Sequence, residues 1–184
     1  KPAVSRAASR ERANKDRRVV VLVGTRKGAW LFHGDAARTK WRVDGPHFLG
    51  EIVHHVVCDP RDRRTILAAT STGHLGPTMQ RSRDLGRTWK EVSRPPAFPK
   101  GEGDSARSVK HTFWLTPCHA DEPDAWYAGT SPQGIFRSDD AGDTWQSLSG
   151  LNDNAAYRQL MGGEQDGTPD GPRLNSLIVD PRDS

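Results

Sequence analysis

The fold is decided by an octapeptide that occurs twice, as SRDLGRTW (82–89) and, 56 residues later, as SDDAGDTW (138–145). Both copies follow the plan Ser-x-Asp-x-Gly-x-Thr-Trp. An aspartate in a turn accepts hydrogen bonds from backbone N–H groups, and the glycine supplies a positive φ. The tryptophan that follows buries a large apolar area between neighbouring sheets. We therefore predict a structural role in tight hairpins for Ser82, Asp84, Gly86, Trp89, Ser138, Asp140, Gly142 and Trp145.

A longer repeat surrounds the octapeptides. ILAATS (66–71) and WYAGTS (126–131) each precede one copy, and LVGT (22–25) precedes a degenerate copy in which Asp35 lies six residues before Trp41 instead of five. Each unit predicts a strand, a second strand, an Asp-Gly turn and a third strand that opens with tryptophan. The three tryptophans are separated by 48 and 56 residues, which is typical of four-stranded propeller blades.

A further strand precedes the later units. HHVVCDPRD (54–62) leads into the second unit, HTFWLTPCH (111–119) leads into the third, and NSLIVDPRD (175–183) has the same pattern. We predict an all-β chain, a β-propeller of four-stranded antiparallel blades with only about half of the ring, roughly three blades, present. The blade pieces are predicted at about 19–43, 52–93 and 109–148, with the first strand of the next blade at 174–180. The remaining blades would come from a longer natural chain or from another chain.

The net charge of +4 is concentrated in the first residues. Of 27 basic and 23 acidic side chains, seven basic and two acidic ones fall within residues 1–18, so the rest of the chain is nearly neutral. We interpret residues 1–18 as a basic flexible arm and residues 19–184 as the propeller, without the basic groove that nucleic-acid binding would need. No apolar run is long enough to span a membrane and no secretory signal is visible, so we expect no membrane partner and a cytoplasmic location.

The octapeptide is the Asp-box, or BNR repeat, and the chain resembles the sialidase-like β-propellers that carry it, in particular a bacterial glycosyl-hydrolase-like branch. The resemblance covers roughly residues 19–184 and includes GTRKGAWLF (24–32), TGHLGPT (72–78) and GGEQDGTPDGP (162–172). It implies the propeller fold but no single activity. Asp-boxes also occur in true sialidases, xyloglucanases, sortilin-type receptors and photosystem assembly factors.

The aligned first strands place polar residues at one end of the predicted central channel. His54 lies five residues before Asp59, Asn175 lies five before Asp180, and His111 takes the matching place in the middle copy. These side chains could bind a small glycan or an anionic ligand, or the two histidines could ligate a divalent metal. They could equally be channel residues bonded to water or to the backbone. We predict a ligand site here without a cofactor.

Two loops add further candidate residues. His74, in the Gly/Pro-rich loop 73–78, could face a ligand or pack within its own loop. Asp166 and Asp170, in an acidic stretch, could supply the carboxylates of glycoside hydrolysis or form ordinary Asp-Gly turns. Arg158, just upstream, is the best candidate for binding an anionic group.

Two functions follow from these observations. The first is a glycoside-hydrolase-like enzyme that acts on a small glycan or an anionic ligand at the channel mouth. The second is a non-catalytic propeller scaffold for protein–protein interaction. The resemblance to sialidases implies an arginine triad and a Tyr/Glu nucleophile pair, but the Arg-Ile-Pro element expected early in sialidases is missing, which favours the scaffold. The clustered histidines and aspartates favour the first, so we prefer a sialidase-superfamily-like propeller that is a glycoside-hydrolase-like enzyme.

Overall fold

The computed structural model describes residues 19–100, 107–160 and 173–182, and these form three antiparallel sheets. The arm predicted for residues 1–18 and the acidic loop with Asp166 and Asp170 lie outside the described residues. The first sheet contains β1 (Val19–Thr25), β2 (Gly28–Gly34) and β3 (Trp41–His47). The second contains β4 (Ile52–Cys58), β5 (Ile66–Thr72), β6 (Gly76–Ser82) and β7 (Lys90–Glu91). The third contains β8 (His111–Pro117), β9 (Trp126–Ser131), β10 (Ile135–Ser138) and β11 (Gln146–Ser147).

The three sheets are successive meanders, in which each strand pairs with the next one along the chain. Their registers show which strands correspond, because Thr25 pairs with Gly28 across β1 and β2 as Thr72 pairs with Gly76 across β5 and β6. β1 is therefore the counterpart of β5 and β9, the second strands of the other two sheets. Among the described residues, the first sheet has no counterpart of the first strands β4 and β8.

Neighbouring sheets pack against each other through buried apolar side chains. The larger cluster joins the second and third sheets and includes Leu67, Met79, Leu115, Trp126, Phe136 and Trp145. A smaller cluster of Ala29, Val53 and Ala68 joins the first and second sheets. The first strands β4 and β8 also meet, because the ring of His55 stacks on Trp114 with 4.7 Å between centroids. The sheets are thus consecutive blades around one axis, and the predicted partial β-propeller is confirmed.

An aspartate–threonine clamp closes the outer hairpin of each complete blade. Asp84 accepts hydrogen bonds from the backbone N–H of Thr88 at 2.8 Å and from its hydroxyl at 2.7 Å, and Asp140 and Thr144 repeat both distances. These bonds favour the charged carboxylate and lower the pKa of Asp84 to about 2. The backbone bond from Thr88 has the largest effect. Gly86 is held in the same turn at φ 85°. The octapeptide therefore forms the hairpin that the sequence predicts.

The degenerate copy in the first blade keeps the clamp but loses the serine. Asp35 accepts hydrogen bonds from the backbone N–H of Thr39 at 2.8 Å and from its hydroxyl at 3.0 Å. Gly34 stands at the register position of Ser82, because Gly34 pairs with Val19 as Ser82 pairs with Ile66. The extra residue before Trp41 follows the clamp and leaves it intact.

Some regions differ from the sequence prediction. Residues 174–180 form no strand, and the strands they contact, β8 and β9, already pair with each other. Two short helices, α1 (Ser149–Asn152) and α2 (Ala155–Leu160), follow the third blade, where the sequence indicates no amphipathic helix. Within the described ranges, no helix is both long and apolar enough to cross a membrane.

Candidate functional site

Two histidines from neighbouring blades meet at one end of the first strands. His54 of β4 and His111 of β8 approach with 3.0 Å between Nε2 of His54 and Nδ1 of His111. Their rings are 4.6 Å apart, and both also contact the ring of Phe113. One of the two facing nitrogens must carry the proton of this hydrogen bond while the other accepts it. The pair thereby couples the tautomers of the two rings and orients both imidazoles.

A cavity of about 360 Å³ lies beside this histidine pair. Its lining consists of Gly24, Thr25, Arg26, Ile52, Val53, His54, His111 and Phe113. Arg26 belongs to the turn between β1 and β2 and is exposed at the rim of the cavity. A second arginine, Arg173, places its guanidinium 5.4 Å from the centre of the Phe113 ring. Of the residues that line this cavity, Arg26 carries a permanent charge, and it is positive.

A β-bulge in each first strand explains why these two histidines meet. The register of β4 against β5 shifts between Val53 and His55, and the register of β8 against β9 shifts between Thr112 and Trp114. His54 therefore corresponds to Phe113, and His111 corresponds to Ile52, two positions away from the alignment made on sequence alone. The rings still meet, because the extra residue of a bulge re-aims its side chain.

The other predicted ligand residues do not line this cavity. Asn175 is exposed and follows Leu174, whose backbone N–H donates to the Thr130 carbonyl at 3.0 Å. His74 is exposed in the β5–β6 turn, which lies at the same end of its blade as the mouth. Arg158 is exposed on α2. Asp166 and Asp170 lie in the undescribed segment, so their catalytic role stays a prediction.

His55, the neighbour of His54, was not identified from the sequence. Its Nδ1 accepts a hydrogen bond of 2.9 Å from the backbone N–H of Leu115 while its ring stacks on Trp114. Burial lowers the pKa of His55, which favours the neutral ring that can accept this bond. The adjacent histidines His54 and His55 are the only signal for this role in the sequence. The sequence does not show which of these two rings joins the blades.

The loop after β4 supplies a second connection between blades that the sequence did not reveal. Arg61 forms a forked pair with the buried Asp59, with 2.8 Å between Nη2 and Oδ2. Its guanidinium also donates to the carbonyls of Glu122 at 2.6 Å and Ala125 at 3.1 Å in the loop of the third blade. The repeated Asp-Pro-Arg-Asp sequence is a visible signal, but nothing in it indicates a contact with the next blade.

A second polar cluster lies in the first blade. The Nε2 atoms of His33 and His47 lie 3.7 and 3.6 Å from the carboxylate of Asp44, and both nitrogens are buried without a hydrogen-bond partner among the described residues. Burial, with a smaller effect of Arg42, lowers the pKa of His33. Across the described ranges, no group of three or more His, Cys, Asp or Glu side chains is arranged to hold a metal ion.

Comparisons with known proteins give only weak similarities. No protein-family model and no curated protein matches the chain. A GH74 xyloglucanase from Xanthomonas campestris is similar in structure with a TM-score of 0.48 and 19% identity, over 74% of this chain and 22% of that one. YCF48 bound to a D1 peptide is similar with a TM-score of 0.39 and 15% identity, over 72% of this chain and 44% of that one. The chain thus spans less than half the length of either protein, and the fold assignment rests on its own three sheets.

Proposed function

We propose that this chain is part of an Asp-box β-propeller that binds a small anionic ligand, such as an acidic sugar, at the mouth formed by His54 and His111. The 3.0 Å contact between the two imidazoles beside a cavity carries the proposal. Arg26 adds a cation at the rim of that cavity. An imidazole N–H oriented by this contact and a guanidinium are suitable donors to a carboxylate or a sugar hydroxyl.

Three clamps support the Asp-box assignment within this proposal. Asp35, Asp84 and Asp140 each bind a threonine four residues later through both its backbone N–H and its hydroxyl. The clamps close the end of each blade opposite to the histidine mouth, because the second strand of a blade ends at the mouth and its third strand ends at the clamp. Their role is therefore structural, and the ligand site is separate from them.

Glycoside hydrolysis has less support than ligand binding. The reaction uses two carboxyl groups roughly 5–9 Å apart across the scissile bond, and the described lining of the cavity contains none. An enzyme would release nitrophenol from a nitrophenyl glycoside. Loss of this release in both Asp166→Asn and Asp170→Asn would favour the glycoside-hydrolase function. A protein-binding scaffold is the second candidate function, and it is favoured by the edge strand β1, which pairs only with β2 within the described part of the chain.

Calorimetric titration tests the binding proposal. We expect D-glucuronate or N-acetylneuraminate to bind and neutral glucose to bind at least tenfold more weakly, because only the acids present a carboxylate to this mouth. His54→Ala and His111→Ala should each weaken binding of the acid at least tenfold, or by about 1.4 kcal/mol. His74→Ala is the matched control, because His74 lies at the same end of the blades but outside the cavity. Equal affinity for glucose, or an equal loss in His74→Ala, would contradict the proposal.

A further inference from the structure

The joint between the second and third blades is closed by an ion pair at the clamp end. Nη2 of Arg81, on β6, lies 2.9 Å from Oδ1 of Asp143 in the octapeptide of the third blade. Nη1 of Arg81 also donates to the Asp140 carbonyl at 3.0 Å. The Ser93 hydroxyl donates to Oδ2 of Asp143 at 3.1 Å, and the Arg94 backbone N–H donates to the Asp143 carbonyl at 3.1 Å. Asp143 thus ties the two blades together.

The matching joint between the first and second blades has different residues at both positions of this ion pair. The registers of β1 against β2 and of β5 against β6 place His33 where the next blade has Arg81. Arg87 is the sixth residue of its octapeptide, and Asp143 is the sixth residue of the other copy. A histidine facing an arginine cannot form the ion pair that a facing arginine and aspartate form, so this joint lacks it.

The outer strands also meet the next blade differently at the two joints. Counted from the tryptophan that opens each outer strand, Pro46 stands in the place of Arg94. Proline has no backbone N–H, so it cannot repeat the bond that Arg94 donates to the next octapeptide. The rings of Phe48 and Trp89 nevertheless lie 4.9 Å apart. The first two blades therefore touch beside this joint while their clamp ends stay apart.

A cavity of about 480 Å³ occupies the place of the missing ion pair, between the facing sides of the first and second blades. Both exchanged residues, His33 and Arg87, belong to its lining. The charged residues of the lining are Arg42, Arg63, Arg64, Arg87, Asp44 and Asp84. The exchange at these two repeat positions thus accounts both for the open space and for part of its positive charge.

The two aspartates of this lining are already engaged within their own blades. Asp84 accepts both clamp bonds from Thr88, and Asp44 lies 3.6 Å from Nη1 of Arg42. The other three arginines of the lining are exposed, and none of them forms an ion pair within the described ranges. Residues 1–18, which precede β1, carry seven basic and two acidic side chains, so their charge does not complement this lining. Three guanidinium groups around one cavity are therefore uncompensated.

We propose that this joint binds the phosphate monoester of a small molecule, such as a sugar phosphate, through Arg63, Arg64 and Arg87. Guanidinium groups form paired hydrogen bonds with phosphate oxygens, and a phosphate monoester carries a charge of about −1.5 to −2 at pH 7. The cavity volume falls within the range of about 300–1,000 Å³ found for small-molecule sites. The site lies at the clamp end and is separate from the histidine mouth at the other end of the blades.

A ³¹P NMR titration of glucose 6-phosphate with the full 184-residue chain tests the binding. We expect the phosphorus signal to change along one saturable binding curve at constant ionic strength. Excess inorganic phosphate should displace the sugar phosphate, whereas dimethyl phosphate should not, because this diester has a single negative charge. An unchanged signal at millimolar concentration, binding of inorganic phosphate alone, or equal displacement by dimethyl phosphate would overturn the proposal.

Matched arginine substitutions test where the phosphate binds. Arg64→Ala and Arg87→Ala should each raise the dissociation constant of glucose 6-phosphate at least tenfold, because each removes a guanidinium from the lining. Arg83→Ala is the control, since Arg83 is exposed in the same octapeptide as Arg87 but does not line the cavity. It should change that constant less than about twofold. Equal effects of the three substitutions would show attraction by net charge alone and would overturn the proposed site.

A charge exchange tests why this joint is open. The double variant His33→Arg/Arg87→Asp gives the joint the same two residue types as the Arg81–Asp143 pair. It should lose binding of glucose 6-phosphate at least about 100-fold, while its midpoint of urea unfolding equals or exceeds that of Arg87→Asp alone. His33→Arg is the control, because it removes no cation, and it should bind at least as tightly as the wild type. Retained binding in the double variant, or lost binding in His33→Arg at an unchanged unfolding midpoint, would overturn the proposal.

Discussion

At the scale of single residues, the neighbouring histidines of β4 have different surroundings. His54 occupies a β-bulge and contacts His111 beside the cavity. His55 stacks on Trp114 and accepts the backbone N–H of Leu115, so it joins two blades. His54 is therefore the residue to test for ligand binding, and His55 is the residue to test for stability.

The His55 contacts predict that stability falls at mildly acidic pH. The pKa of His55 is lowered by burial in the folded chain, so the unfolded chain binds the proton more readily. The contribution is fully present above the unfolded-state pKa of about 6.5 and is lost as the pH falls toward the lower folded-state pKa. His33, whose pKa burial also lowers, acts in the same direction. Denaturant unfolding between about pH 5 and pH 7.5 should show a free energy of unfolding that rises with pH.

His55→Gln is the control for this pH dependence. A glutamine side-chain oxygen can accept the Leu115 N–H bond, but the side chain does not titrate. The variant should therefore keep most of its stability at pH 7.5 and show a shallower rise with pH. His55→Ala loses both the acceptor and the stacked ring and should cost on the order of 2 kcal/mol at pH 7.5 and less toward pH 5, where the wild type has itself lost stability. If the free energy of unfolding of His55→Gln rises with pH as steeply as that of the wild type, His55 is not the source of the pH dependence.

At the scale of elements, the clamped hairpins are the part that the sequence predicts best. The side-chain hydrogen bonds of the clamp lie within eight residues, so the spacing of Ser138, Asp140 and Gly142 is enough to define them. The contact of Arg61 with the loop of the third blade could not be predicted in this way, because its partners are backbone carbonyls about 60 residues away. Every residue has a backbone carbonyl, so a contact with one leaves no pattern of side chains in the sequence.

The clamp makes a specific prediction about stability. Asp140→Ala removes the acceptor for the backbone N–H and hydroxyl of Thr144 and for the hydroxyl of Ser138. We expect a loss of about 2 kcal/mol, since hydrogen bonds to a charged group are among the stronger ones. Urea unfolding measures the loss. Asp121→Ala is the matched control, because the Asp121 side chain is 82% exposed, and its loss should be small. Equal losses in the two variants would show that the clamp does not stabilise the hairpin.

The alignment of the first strands shows where sequence spacing fails within an element. Counting back from Asp59 and from Pro117 gives His54 and His111 the same position, but the strand registers make Cys58 the counterpart of Pro117 and Phe113 the counterpart of His54. Both strands carry their bulge at the same place, so the bulges cancel in the alignment, and the error lies in the choice of Asp59 and Pro117 as matching residues. The prediction of a histidine cluster at the channel end nevertheless led to two side chains that are in contact.

At the scale of the whole molecule, the repeats predict the blade architecture and the structure adds how the blades are joined. Three blades surround one axis, with the clamps at one end and the histidine mouth at the other. The sequence predicts a first strand at 174–180, but these residues pair with no strand in the described part of the chain. The central claim is therefore that the axial mouth, where two blades meet, is the ligand site of this molecule.

The most direct test of this claim is a side-chain NMR titration of the histidine rings with D-glucuronate. We predict that the ring nitrogen signals of His54 and His111 show the hydrogen-bonded tautomers and shift together along one binding curve. The signals of His74, exposed in the β5–β6 turn, should stay in place. Unchanged signals for the pair at saturating ligand, or shifts in His74 of the same size, would contradict the claim.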